Sequence, residues 1–178
     1  QSLNPTNPYS ASKAGADMMV NAYKKSYKLN INTVRANNIY GTRQYPEKLI
    51  SKTIYNFIHN KKMTIHGRGN NYRYYLSVQD FCDGMLQIIK KGKFQEVYNI
   101  ASDKKYKVTY VIKAISDYLN KNFNKNIKYV NDRPFNDKIY KIDCNKLKKL
   151  SWRARRNLKE DIPSICEWYK INKNLFKK

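Results

Sequence analysis

Tyr9 and Lys13 stand four residues apart in the stretch Asn7-Pro8-Tyr9-Ser10-Ala11-Ser12-Lys13, where Pro8 can open a helix. On a helix that spacing puts both side chains on one face, about one turn apart. An unperturbed phenol, with a pKa near ~10, is a poor base at neutral pH, but a nearby ammonium stabilises the phenolate and moves the pKa down. A tyrosine tuned in this way can take the proton of a hydroxyl as hydride leaves the same carbon. The bare spacing is weak evidence in a chain with 16 Tyr, where a packed Tyr beside a surface Lys is the ordinary outcome. What surrounds the pair decides between the two.

The elements that must position this pair follow from periodicity. Residues 8 to about 27 are rich in Ala, Lys and Met, with Ala14, Met18, Ala22 and Lys25 along one side, and predict a long helix. After Asn30, alternation through Ile31, Thr33 and Arg35 predicts a short strand ending in a polar loop at Asn37-Asn38. Leu49, Ile50, Ile54, Phe57 and Ile58 recur at helical spacing over residues 47–60, and residues 63–66 read as a strand closed by the Gly67-Arg68-Gly69-Asn70 turn. A strand over 74–78, a helix over 80–90 ended by Gly92, and a strand over 97–100 follow. The pattern then predicts a helix over 108–122, a strand over 127–130, a loop holding Asp132-Arg133-Pro134, and a helix over 162–172. This is α/β alternation, without internal repeats.

Composition narrows the class. The 178 residues are 41% hydrophobic, enough for one sizeable core or parts of two smaller ones. No apolar run approaches the ~20 residues that span a bilayer, and the opening Gln1-Ser2-Leu3-Asn4-Pro5 lacks a signal-peptide pattern. A soluble, cytoplasmic protein without membrane association is expected. A first residue Gln rather than Met leaves two readings, a natural product that begins further upstream or an excised piece. Cys82, Cys144 and Cys166 are odd in number and form no C-x-x-C pair, and His59 and His66 stand apart, so no disulfide framework and no metal is expected. The net charge of +23 would attract any polyanion. Yet 28 of the 36 basic residues are Lys, Asn, Tyr and Ile are also abundant, and all are encoded by A/T-rich codons. The lysines are scattered and form no stripe with aromatics, which favours a solvated surface over a nucleic-acid partner.

Around Tyr9 the run Asn7-Pro8-Tyr9-Ser10-Ala11-Ser12-Lys13-Ala14-Gly15-Ala16-Asp17 resembles the active-site helix of extended short-chain dehydrogenases/reductases acting on nucleotide sugars. Further on, Arg35-Ala36-Asn37-Asn38-Ile39-Tyr40-Gly41 is similar to that family's R-x-x-N-x-Y-G segment, and Tyr45-Pro46-Glu47-Lys48-Leu49-Ile50 to the F-P-E-K-L-I run of dTDP-glucose 4,6-dehydratases. Ile65-His66-Gly67-Arg68-Gly69 resembles I-Y-G-x-G, and Arg73-Tyr74-Tyr75-Leu76-Ser77-Val78-Gln79-Asp80 resembles R-x-x-x-x-V-x-D. Val97-Tyr98-Asn99-Ile100, Asp132-Arg133-Pro134 and Glu167-Trp168-Tyr169 continue the family's order, so the resemblance runs from Asn7 to about Asn172.

The resemblance implies an α/β fold: the C-terminal part of a Rossmann-type doubly wound parallel sheet, plus a smaller α/β substrate-binding domain. Residues 1–42 and 77–102 would belong to the NAD-binding domain, and 43–76 and 103–178 to the sugar-nucleotide domain. It implies NAD as cofactor, dTDP- or UDP-glucose as substrate, and a homodimer for the full-length enzyme. Tyr9 would be the base for the sugar 4-hydroxyl, and Lys13 would hold the nicotinamide ribose and lower the Tyr9 pKa. Asn38 would donate its amide to a substrate phosphate, while Glu47, Lys48 and Leu49 would lie near the nucleotide base. Arg73 and Arg133 would clamp the diphosphate, a task suited to a guanidinium that donates two parallel hydrogen bonds. Asn99 would lie near the same site.

Departures from the family pattern are as informative. His66 stands where such dehydratases often carry Tyr beside the base. After Asp132-Arg133-Pro134 comes Phe135-Asn136-Asp137-Lys138 where G-H-D-R is usual, so the sugar contact made by His would fall to Asn136. A dinucleotide site needs a glycine-rich turn between strand and helix. Gly67-Arg68-Gly69 lacks the third glycine and that setting. The family's Thr-Asp-Glu segment, which supplies the acid and base for eliminating water, would also lie upstream of Gln1. The expectation is a dehydratase piece inactive by itself. Its rivals are a nucleotide-sugar 4-epimerase or decarboxylase of the same family, a basic nucleic-acid-binding or scaffold protein on the same fold, and one subunit of a split enzyme.

Overall fold

The computed structural model describes residues 4–132 and 141–176. Helix α1 (Pro8–Ser26) starts on Asn7, whose Oδ1 accepts from the Ser10 amide at 2.9 Å, and Pro8 presets φ in the first turn. Lys24 and Lys25 close its last turn, where the helix dipole favours cations. Then come β1 (Thr33–Ala36), β2 (Asn38–Tyr40), α2 (Leu49–Ile58), β3 (Met63–His66), β4 (Tyr72–Ser77), α3 (Val78–Lys91) and β5 (Val97–Ile100). The chain continues through β6 (Lys105–Lys107), α4 (Val108–Tyr118), α5 (Phe123–Asn126), β7 (Ile127–Val130), α6 (Asn145–Lys148) and α7 (Leu158–Ile171).

Three small sheets result. β1 pairs with β5 in parallel, Thr33 opposite Val97 and Ala36 opposite Ile100. β2 pairs in parallel with β4, Asn38 opposite Tyr75, and β6 adds to β4 antiparallel. β3 pairs in parallel with β7, Met63 opposite Ile127. Parallel neighbours need long crossovers, which the helices supply. The turn from β3 to β4 requires glycine: Gly67 and Gly69 have φ of +57° and +63°. A Cβ at Gly69 would lie 2.6 Å from a Thr109 methyl and 2.8 Å from one of Ile65. These glycines allow a left-handed turn against close neighbours.

Several elements differ from the periodicity reading: the helix read over 108–122 ends at Tyr118, and the short α5 and α6 were not anticipated. Asn38, expected in a loop, begins β2, because its partner strand lies 37 residues downstream. β6 was not anticipated, since Lys105-Tyr106-Lys107 carries too little alternation to announce a strand, and pairing with β4 creates it. α7 begins at Leu158 rather than 162. Asn157 caps it, Oδ1 accepting from Lys159 N at 3.1 Å, so Pro163 falls inside the helix and not at its start.

Apolar side chains form two clusters. In one, Ile54 and Phe57 of α2, Ile112 and Ile115 of α4, and Ile165 and Tyr169 of α7 pack under Ile65 and Tyr75. In the other, Leu76, Ile88, Tyr98 and Ile100 meet Leu147 and Trp152, so residues after 143 return to the strands of the chain's middle. Asp80, buried at the start of α3, fastens this return. Its Oδ2 accepts from the Arg155 and Arg156 amides at 3.1 and 2.9 Å, and its carbonyl accepts from Trp152 Nε1 at 3.1 Å. Tyr40 ties β2 to α7 through a 2.7 Å bond from its hydroxyl to Asp161 Oδ2. α1 is held differently: Lys24 Nζ donates to Gln95 O at 2.5 Å, and the Arg35 guanidinium meets Asp17 at 2.6 Å. No helix among the described residues is long and apolar enough to cross a membrane.

Candidate active site

A cavity of about 560 Å³ opens where the C-terminal ends of β1 and β2 meet the start of α2 and the strands β3 and β4. Its wall includes Tyr9, Asn38, Glu47, Lys48, Leu49, His66 and Arg73. Seven residues singled out from four separate motifs and the first helix thus share one crevice. Lys13 and Asn99 are not on this wall. Arg133 and Asn136 lie outside the described residues.

Each lining side chain is placed by its element. Tyr9 sits in the first turn of α1, 73% exposed, with Lys13 one turn further along the same helix. Parallel pairing of β2 with β4 sets Asn38 beside Tyr75, and Asn38 Nδ2 donates to Tyr74 O at 3.1 Å, which uses one of its two amide hydrogens to hold the strands together. Glu47 and Lys48 precede α2 and pair with each other at 3.2 Å; with both side chains more than half exposed the pair adds little stability. His66 ends β3, its Nδ1 3.3 Å from Asn131 O. A carbonyl only accepts, so Nδ1 carries the proton and Nε2 is left as an acceptor in the neutral ring. Arg73 lies on β4, half-buried, and Nη1 donates to Tyr72 O at 2.9 Å.

Asn99 has another occupation. It lies on β5 opposite Arg35, and Nδ2 donates to Asp143 O at 2.7 Å, anchoring the segment that enters α6. The cavity also has lining residues that motif reading passed over, among them Asn37, Gln44, Lys52 and Asn71. Lys52 is one helical turn past Lys48, a spacing that could have flagged it. Nothing local distinguishes Gln44 or Asn71, which reach the wall only through the loops that carry them.

Two other phenols line the cavity, Tyr40 and Tyr75. Burial, helped by the Asp161 carboxylate bonded to its hydroxyl, pushes Tyr40 far above the ordinary phenol range. Burial raises Tyr75 as well, despite the opposing charge of Arg73. Neither can act as a base near neutral pH, which leaves that task to Tyr9 among the lining tyrosines.

The residues present fit one end of a nicotinamide dinucleotide. Tyr9 and Lys13, one turn apart on an exposed helix start, suit the ribose and the reacting ring. The pyrophosphate end needs closely spaced glycines between a strand and a helix. The six glycines of this chain provide no such turn, and the paired ones, Gly67 and Gly69, join two strands.

Comparison with known proteins agrees with this geometry. Residues 1–165 match the family model described as GDP-mannose 4,6 dehydratase. An Arabidopsis thaliana trifunctional UDP-glucose 4,6-dehydratase/UDP-4-keto-6-deoxy-D-glucose 3,5-epimerase/UDP-4-keto-L-rhamnose-reductase is 45% identical over 170 residues, 96% of this chain and 25% of that protein. The human dTDP-D-glucose 4,6-dehydratase is 38% identical over 173 residues, 94% of this chain and 49% of its own length. Among solved structures, the Bacillus anthracis dTDP-glucose 4,6-dehydratase in complex with NAD superposes with a TM-score of 0.86 at 36% identity, covering 97% of this chain and 55% of that one. The Streptomyces venezuelae dTDP-glucose 4,6-dehydratase with NAD and TYD bound gives 0.92 at 28% identity, covering 99% and 55%. The chain therefore spans about half the length of the dTDP-glucose dehydratases it matches. It belongs to the nucleotide-sugar 4,6-dehydratase family, as a dTDP-glucose 4,6-dehydratase-like member of the NAD-dependent epimerases and dehydratases.

Proposed function

We propose that this chain is the substrate-binding and proton-accepting half of a nucleotide-sugar 4,6-dehydratase that converts dTDP- or UDP-glucose to the 4-keto-6-deoxy sugar nucleotide. The observation that carries this reading is the single cavity lined by Tyr9, Asn38, Glu47, Lys48, Leu49, His66 and Arg73. Residues 1–42 and 77–102 complete an NAD-binding Rossmann sheet in this reading, and 43–76 and 103–178 build the sugar-nucleotide domain.

Tyr9 takes the proton of the sugar 4-hydroxyl as that carbon loses hydride, and Lys13, one turn along α1, holds the nicotinamide ribose. NAD, when bound, supplies the hydride acceptor and later the donor. Arg73, together with Arg133, grips the diphosphate, and fixing that end of the substrate orients C4 toward Tyr9. Asn38 donates its second amide hydrogen to a phosphate. Glu47, Lys48, Leu49 and His66 take the base, and Asn136 lies toward the sugar; Asn99, held on Asp143 O, takes no part. The carboxyls that eliminate water belong to the half that this sequence lacks. The full-length enzyme works as a homodimer in the cytoplasm.

Calorimetric titration of the 178-residue chain tests this. UDP-glucose or dTDP-glucose should bind, Arg73→Ala should weaken binding about tenfold or more, as expected for losing a charge-assisted contact, and Tyr9→Phe should leave affinity nearly unchanged. The chain alone should neither bind NAD tightly nor turn over. Absence of nucleotide-sugar binding, or an Arg73→Ala variant that binds like the parent, would overturn the assignment.

A further inference from the structure

One polar atom on the cavity wall has no hydrogen-bond partner among the described residues. Among the described residues, Asn37 Oδ1 and Gln87 Oε1 are buried side-chain oxygens without a hydrogen bond. Gln87 lines a separate, smaller pocket between α3 and Trp152 and Arg155, while Asn37 lines the cavity together with Tyr9. Asn37 is only 6% exposed.

The orientation of its amide is not arbitrary. Nδ2 lies 3.5 Å from Ser102 O. That carbonyl can only accept, so turning the amide over would set oxygen against oxygen and leave the nitrogen without an acceptor. The oxygen must therefore be the atom left over. A buried acceptor without a donor destabilises a fold, and native proteins keep few of them.

The backbone explains why such an atom exists at this place. Residue 36 pairs with Ile100 in one sheet, and residue 38 pairs with Tyr75 in another. Asn37 is the hinge between the two pairings, at the C-terminal end of parallel strands. That is where the crevice of an open α/β sheet receives its ligand.

The chemistry of the missing donor can be read from the neighbours. Diphosphate has no hydrogen to give at neutral pH, and the cations Arg73 and Lys48 suit it better. The acceptor is neutral and shares its wall with Tyr9, the base for a sugar hydroxyl. We infer that Asn37 is a further specificity-determining residue whose Oδ1 accepts a hydrogen bond from a hexose hydroxyl of the substrate. This rests on the nucleotide-sugar reading of the cavity and adds to it a residue that recognises the sugar rather than the nucleotide.

Titration of UDP and of UDP-glucose into the parent chain and the Asn37→Ala and Asn37→Ser variants tests the inference. In Asn37→Ala the affinity for UDP should stay the same and that for UDP-glucose should fall roughly three- to tenfold, the loss expected for one neutral hydrogen bond. Asn37→Ser, which keeps an acceptor, should recover part of it. Asn37→Ala removes the orphaned oxygen together with the Nδ2 contact to Ser102 O, so its melting temperature, read alongside, measures what the side chain contributes to the wall itself. Equal losses for UDP and UDP-glucose would assign Asn37 to the pyrimidine N3–H or to wall structure and overturn the inference. A lowered melting temperature with the sugar's contribution intact would do the same. If the parent binds UDP-glucose no better than UDP, this inference falls and the nucleotide site stands; if it binds neither, both fall.

Discussion

α7 and α1 are both long helices that start on an asparagine cap, yet they are stabilised in opposite ways. α7 buries Leu158, Ile162, Ile165, Cys166 and Tyr169 against α2 and α4. α1 is five residues longer and buries only Lys24, while Tyr9, Met18, Met19, Tyr23 and Tyr27 stand exposed. Its ties to the rest of the chain are polar, through Lys24 and Asp17, so the polar side faces inward and the apolar sides face out. An amphipathic helix normally does the reverse. A helix gains most of its stability from packing an apolar face, so α7 is built into the fold, whereas α1 is built for contacts that these residues do not make. The residues proposed for proton transfer stand on α1, and the cavity acquires its chemistry from the less anchored of the two helices.

The contrast is sharpest in truncation. Ile165→Ala removes a side chain with 3% exposure and should cost about 2–5 kcal/mol in urea unfolding. Met18→Ala, at 64% exposure, should change stability by less than ~0.5 kcal/mol. A comparable loss at both positions would erase the distinction.

Alkali should act on the packed face of α7. Burial pushes the Cys166 thiol from 9.0 up to about 12, and Tyr169 from 10.0 up to about 12. A group whose folded pKa is raised holds its proton more tightly in the folded state. Its contribution is complete below the unfolded value and is lost as pH climbs from about 9 through 12. Raising the pH from 8 to about 10.5 should therefore cost ~2 kcal/mol from Cys166, seen as a lower melting temperature. Cys166→Ala should reduce that pH dependence; an unchanged slope would show that the thiol is not held neutral by the fold.

The smallest effect expected is at the start of α1. Asn7→Ala removes the cap on Ser10 N and should cost ~1 kcal/mol of local helix stability. Amide exchange over the first turns of α1 should then speed up several-fold, with α7 unaffected. If α1 exchanged as slowly as α7 in the parent chain, its weak anchoring would be refuted.

Much of this could be read from neighbours in the chain. Asn7 and Pro8 announce the start of α1, and the spacing of Ile50, Ile54 and Phe57, and of Val111, Ile112 and Ile115, announces α2 and α4. The motif residues that line the cavity were legible for the same reason, since each lies in a short run of characteristic types. Tertiary structure alone decided the rest. It made a strand of Asn38 and of Lys105-Tyr106-Lys107, gave Asp80 to the Arg155 and Arg156 amides, took Asn99 to Asp143, and left Asn37 Oδ1 without a donor among the described residues. Capping and periodicity act within a turn or two of backbone, so sequence expresses them directly. Strand pairing and the satisfaction of a buried amide depend on which distant segment arrives alongside, and that is settled only when the whole chain has packed.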